Sequence, residues 1–123
     1  MDENLNTAKN IKSVLIADDT KSIQTSLKFI VESLGCKVWI SRNGEDAIKK
    51  YKQHKPNLVF MDIKMPEVNG VEAIKQIKAF DKNANIIIIT AFSGDKNFRE
   101  LIKDDPMKFI DKPFEIAEIK SCL

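Results

Sequence analysis

The side chains of this chain best suited to act together are the pair Asp18-Asp19, then Asp62, Thr90 and Lys112. Carboxylates brought close together repel and raise one another's proton affinity. A hard divalent cation relieves that repulsion, and all-oxygen ligation with several retained waters suits Mg2+. A carboxylate beside such an ion and an ammonium is placed to attack phosphorus and form an aspartyl phosphate. Phosphoryl transfer needs mainly positioning and neutralisation of the transferred oxygens, which the metal, Lys112 and the Thr90 hydroxyl would supply. All of this requires a fold that gathers residues spread along most of the chain.

Each of these residues follows a short apolar run. Residues 14–17 (Val-Leu-Ile-Ala) lead into Asp18-Asp19, 58–61 (Leu-Val-Phe-Met) into Asp62, and 86–89 (four isoleucines) into Thr90. A weaker run at 108–110 leads into Asp111-Lys112-Pro113, and residues 38–40 (Val-Trp-Ile) form one more. Their lengths and β-branched or aromatic content predict strands, and apolar continuity predicts strands covered on both faces of a parallel sheet.

Segments of helical spacing lie between the runs. Ile23, Leu27, Ile30, Val31 and Leu34 form one stripe, which Gly35 should terminate. Further helices are expected over 44–54 (Ala47, Ile48, Tyr51), 68–80 (Val71, Ile74, Ile77), 95–103 (Phe98, Leu101, Ile102) and 114–123 (Phe114, Ile116, Ile119, Leu123). All these apolar positions, with Met61, Met65 and Met107, are assigned to core. The alternation predicts an α/β fold, a (βα)5 doubly wound parallel sheet with helices on both faces. Ligands of such sheets bind outside the carboxyl ends of the strands, where every candidate residue above would then lie.

The bulk properties narrow the classes. The 123 residues suffice for one domain, and 43% hydrophobic with 31% charged residues is a globular composition. Twenty basic against 18 acidic side chains leave a net charge of +2, with no basic run to serve nucleic acid. No apolar run approaches the roughly 20 residues of a membrane helix. The opening MDENLNTAKN is polar and unlike a signal peptide, so residues 1–10 are read as a polar extension and 11–123 as the domain. Cys36 and Cys122 are expected as packing residues in a reducing, cytoplasmic setting, and His54 as a solvated loop residue.

At its carboxylates, hydroxyl and lysine the chain resembles the receiver domain of two-component response regulators, over essentially residues 11–123. The family's Asp-x-x-Met-Pro-x-x-x-Gly pattern reads here as Asp62, Met65, Pro66 and Gly70. The resemblance implies a flavodoxin-like, CheY-like sheet of order 2-1-3-4-5 and assigns roles. Asp62 would be the phosphoacceptor; Asp18, Asp19, Asp62 and the backbone carbonyl of Lys64 would hold Mg2+. Thr90 would be the switch hydroxyl, Phe109 the switch aromatic, and Lys112 the phosphate-contacting lysine before a cis Pro113. Phe109 also reads as plain strand core, and the Lys64 side chain as a solvated loop charge.

The implied partners are a histidine kinase or histidine phosphotransfer protein and a downstream protein target, with neither nucleic acid nor membrane bound directly. The chain would be no classical enzyme, but would catalyse its own phosphorylation and dephosphorylation. Lys64, the run 88–92 and Lys112-Pro113-Phe114 also resemble the single-domain receiver of the sporulation phosphorelay and other stand-alone receivers. Asp105-Pro106 replaces the more usual Gly-Ala, and Gly94 is unusual. Both lie beside the fourth helix and fifth strand, which with the fifth helix form the expected signalling face. If the sequence is the whole protein, output is expected through protein contact or onward phosphoryl transfer; as a domain of a larger regulator or hybrid kinase it would act with a further domain.

Three other readings compete. A phosphatase of haloacid-dehalogenase type places Asp-x-Asp after its first strand, against Asp18-Asp19-Thr20 here. A flavin-binding protein needs a phosphate loop where the acidic pair stands, and a pseudo-receiver would lack part of the set.

Overall fold

The apolar runs form strands because β-branched and aromatic side chains suit a pleated surface buried from both sides. In the computed structural model, which describes residues 11–123, β1 (Ser13–Ala17), β3 (Leu58–Asp62) and β4 (Ile86–Thr90) are almost wholly buried. They form the middle of a five-stranded parallel sheet, ordered β2-β1-β3-β4-β5, with β2 (Lys37–Ser41) and the short β5 (Phe109–Asp111) at its edges. The helices α1 (Lys21–Ser33), α2 (Gly44–His54), α3 (Gly70–Phe80), α4 (Lys96–Asp104) and α5 (Ile116–Lys120) connect the strands or follow them. The expected (βα)5 architecture and strand order are both present.

Two cores lie on opposite faces of the sheet. Leu15, Met61, Ile74, Ile88 and Phe98 belong to one, which α2, α3 and α4 cover. Ile16, Leu27, Phe60, Ile89 and Ile119 belong to the other, beneath α1 and α5. Register then aligns the strand ends: Ala17 pairs with Met61 and Ser41, Asp62 with Ile89, and Thr90 with Asp111. The residues after β1 and at the ends of β3 and β4 therefore stand on one edge.

Several core assignments need correction. Leu34 is 47% exposed, because the α1 stripe ends there: Gly35 takes φ 85° and turns the chain away. Ile116 is 57% exposed, because α5 is a single short helix capped by the reciprocal Glu115–Glu118 pair rather than a helix over 114–123. Ile23, Ile102, Met107, Phe114 and Leu123 are only partly buried, at the margins of the cores. His54 is not a loop residue. It is the last residue of α2, and its ring stacks on Trp39 at 4.4 Å. Cys36 and Cys122 are buried free thiols, as packing residues should be.

Among the described residues, Ser41 has a buried hydroxyl with no hydrogen-bond partner, at the end of β2. An unpaired buried hydroxyl forfeits its hydration without return. Ser41→Ala is therefore expected to stabilise the fold by about 1 kcal/mol. Urea denaturation would show this as a higher midpoint at unchanged slope.

Candidate functional site

The strand order reverses between β1 and β3, since the chain leaves β1 for one edge of the sheet and returns on its other side. The crevice above that reversal is where open α/β sheets hold ligands. Asp18 follows β1 and is 2% exposed, while Asp62 ends β3 and is 5% exposed. Asp19, beside Asp18, is exposed. One carboxylate oxygen from each of the three lies within 4.8 Å of the others. Such an all-oxygen cluster fits a hard divalent cation rather than a thiophilic metal.

Lys112 follows β5 and reaches this cluster across β4 and β3. Its Nζ lies 2.7 Å from Asp18 Oδ2 and 3.5 Å from Asp62 Oδ2, so the ammonium bridges two of the carboxylates. The Lys112-Pro113 peptide is cis, as the resemblance implied, and the Lys112 amide donates to the Thr90 carbonyl at 2.8 Å. Burial, with the charge of Asp18 behind it, pushes the Asp62 carboxyl up to about 6. Lys112 opposes that rise, Asp19 adds to it, and the backbone N–H of Lys64, donating to the carboxylate, works against it. The pocket thus balances charge desolvation and repulsion against a single close lysine.

Thr90 is buried at the end of β4, and its hydroxyl accepts the amide N–H of Phe92 at 2.7 Å. The switch candidate is thus engaged with its own loop rather than with the carboxylates. Phe109, half-buried on β5, meets Phe98 edge-on at 5.1 Å. The Lys64 side chain is no free loop charge: its ammonium pairs with Asp95 at 2.7 Å.

Two positioning features were not anticipated in the sequence, and a third contact shows why the expected loop glycine, Gly70, is needed. Gln24 is 5% exposed, and its side-chain amide donates to the backbone carbonyl of Asp18 at 2.6 Å, holding the acidic turn from α1. A polar residue at helical spacing with Leu27 and Val31 was the available signal. The Asp18 carboxylate also accepts the Thr20 amide at 2.8 Å, which fixes its orientation. Finally, a Cβ on Gly70 would fall 1.9 Å from the Asp62 carbonyl oxygen, and one on Gly44 1.9 Å from that of Val68. Two glycine faces let the loop after Asp62 lie flat against β3 and the start of α2.

The response regulator receiver domain model matches residues 14–123. The chain belongs to the response regulator receiver family. Chemotaxis protein CheY of Thermotoga maritima is 42% identical over 113 residues, covering 91% of this chain and 94% of that protein. Sporulation initiation phosphotransferase F of Bacillus subtilis is 30% identical over 112 residues, covering 91% and 90%. A Borrelia burgdorferi structure described as a CheX–CheY–BeF3–Mg2+ complex superposes with TM-score 0.82 at 32% identity, over 90% of this chain and 85% of that one. This receiver is therefore a signal-transduction phosphoacceptor of two-component type, related to stand-alone chemotaxis and sporulation receivers alike.

Proposed function

We propose that Asp62 accepts the phosphoryl group, from a phosphohistidine on a histidine kinase or phosphotransfer protein in the cytoplasm. An Asp62 carboxylate oxygen attacks phosphorus, the P–N bond breaks, and its electron pair returns to the imidazole nitrogen. The product is an acyl phosphate, and attack of water on phosphorus releases phosphate and restores the carboxylate. Asp18, Asp19, Asp62 and the Lys64 carbonyl would hold Mg2+, which neutralises the phosphoryl oxygens when bound. Lys112 supplies a second, permanent positive charge to the same oxygens. Thr90 donates its hydroxyl to them after leaving the Phe92 amide. That movement makes room at Phe109 and alters the surface of α4, β5 and α5 for a downstream protein, or the phosphoryl group passes onward.

The observation that carries this reading is a carboxylate at the end of β3, 5% exposed, with a lysine ammonium at 3.5 Å and two further carboxylates alongside. Incubation with Mg2+ and acetyl phosphate should add one phosphoryl group to the wild type, seen by mass, and none to Asp62→Ala. An equal adduct on the variant would overturn the assignment. The nucleophile is the ionised carboxyl, and Asp62 ionises near pH 6. That value belongs to the metal-free pocket, where a cation must displace the proton to bind, so the Mg2+ concentration needed for half-maximal adduct formation should rise as pH drops through about 6, which stopped samples over a Mg2+ series would measure.

A further inference from the structure

Every polar group of Asp18 is engaged, and the donor to its backbone carbonyl comes from inside the protein. The Asp18 amide donates to the Ser41 carbonyl at 3.0 Å, Oδ1 accepts the Thr20 amide at 2.8 Å, and Oδ2 accepts the Lys112 ammonium at 2.7 Å. The remaining group, the backbone carbonyl, accepts the side-chain amide of Gln24 at 2.6 Å. A carbonyl only accepts, so the nitrogen end of the Gln24 amide must face it. Gln24 is buried, and its own backbone amide donates to the Thr20 carbonyl at 3.0 Å, in the first turn of α1. The hydrogen bonds of Thr20 and Gln24 thus close a ring between the acidic turn and that helix. What the ring fixes is the peptide between Asp18 and Asp19. The Asp18 carbonyl lies in the plane of that peptide, so holding its oxygen holds the plane from which Asp19 departs. Asp19 depends on this support, because it is exposed and, among the described residues, its carboxylate has no hydrogen bond or ion pair of its own.

Resting on the reading of Asp18, Asp19 and Asp62 as a Mg2+ site, we propose that Gln24 is a positioning residue that gives the pocket a preference for Mg2+ over Ca2+. Mg2+ tolerates only short, near-ideal octahedral ligation, whereas Ca2+ accepts longer contacts and variable coordination numbers. A rigid acidic turn therefore suits the more demanding ion. A turn whose central peptide can rotate penalises Mg2+ more than Ca2+, which adapts to displaced ligands. Gln24 lies on the buried side of α1 with Leu27 and Val31, where an apolar side chain would pack without the cost of burying an amide. Its polarity is explained by the carbonyl that it holds.

Gln24→Met keeps the length of the side chain and removes the donor. The whole chain, unphosphorylated, would be titrated with magnesium chloride and separately with calcium chloride, following the amides of Thr20 and Lys64 by 15N NMR. Both amides donate to carboxylates of the cluster and so report on its occupancy. Mg2+ affinity should fall by about tenfold or more in Gln24→Met, as when a group that orients a metal ligand is removed. Ca2+ affinity should fall by less than about threefold, so that the preference for Mg2+ narrows. Gln24→Asn, whose amide is one methylene too short to reach the carbonyl, should behave in the same way and serves where Gln24→Met does not fold. Thr25→Ala, on the exposed side of α1, should leave both affinities at wild-type values. A merely structural contribution of Gln24 would weaken the two ions alike. Equal losses for both ions, an unchanged Mg2+ affinity, or a wild type without preference for Mg2+ overturns the proposal while leaving the cation site in place. A wild type that binds neither ion overturns the site as well.

Discussion

Lys112→Met is expected to cost about 3 kcal/mol of folding stability at pH 8 and less at pH 5. Methionine preserves the apolar stem and removes only the charge, so packing changes little. The charge matters because Lys112 is the ammonium that contacts both Asp18 and Asp62, whose side chains are 3% and 6% exposed. Removing one partner of a buried pair leaves the other's desolvation uncompensated, which costs more than the intact pair contributed. The sign of the pH dependence follows from Asp62. Its carboxyl rises from 3.8 to about 6 on folding, so the folded state holds the proton more tightly than the unfolded one. Wild-type stability should then decline as pH rises from about 4 to about 6 and level off above. Without Lys112 the folded carboxyl rises further, and the decline continues to higher pH. The gap between the two proteins is thus widest in alkali and narrows in acid, where the unpaired Asp62 charge is lost but the contact with Asp18 is still missing. Millimolar Mg2+ should narrow it at pH 8, since a cation held by the carboxylates stabilises the form that lacks one most. Urea midpoints across pH, with and without Mg2+, check all three statements. The absence of any deficit at pH 8 would mean that the lysine acts through its stem alone.

The same chemistry explains which parts of the site were legible in the sequence. Strands buried on both faces must be continuously apolar, so the residue at which each run stops is conspicuous. Parallel alignment then puts Asp18, Asp62 and Thr90 on one edge without any knowledge of side-chain positions. The pairing of Lys112 with both carboxylates follows from that edge and the need to offset charge.

Periodicity was less informative at helix ends. It gives the angle of a stripe but not the point at which a cap turns the chain, and so Leu34 and Ile116 were assigned to core yet face solvent. Contacts between loops were wholly hidden. The pairing of Lys64 with Asp95 depends on how two loops lie, and nothing in the spacing of 31 residues between them encodes it. Gln24 was hidden for a different reason: its polarity seemed to exclude it from the buried side of α1, whereas its hydrogen bond to Asp18 is what makes its burial affordable.

Gly70 illustrates a constraint that only the backbone reveals, and its replacement should produce the other large effect. Its amide donates to the Ile63 carbonyl at 2.7 Å, so α3 begins in direct contact with the loop that leaves Asp62. A methyl group there would meet the Asp62 carbonyl oxygen at 1.9 Å and Ile63 Cα at 2.7 Å. Both are backbone atoms, which cannot move aside by changing rotamer. The loop or the start of α3 must shift, and Gly70→Ala should cost about 3 kcal/mol as an overpacked contact. The shift would be transmitted to the peptide that carries the nucleophile, where a displacement of about 1 Å costs on the order of a hundredfold in rate. Phosphorylation by acetyl phosphate should therefore slow by at least about tenfold even where the variant is fully folded. Gly94→Ala is the matched control: no atom lies within 4 Å of the added methyl group, and its stability and rate should remain close to wild type. Equal behaviour of the two variants would show that the loop after Asp62 has slack that its glycine contact does not suggest. Unequal behaviour, with the rate loss persisting below the unfolding transition, would place the demand on position 70 in the geometry of the nucleophile rather than in stability alone.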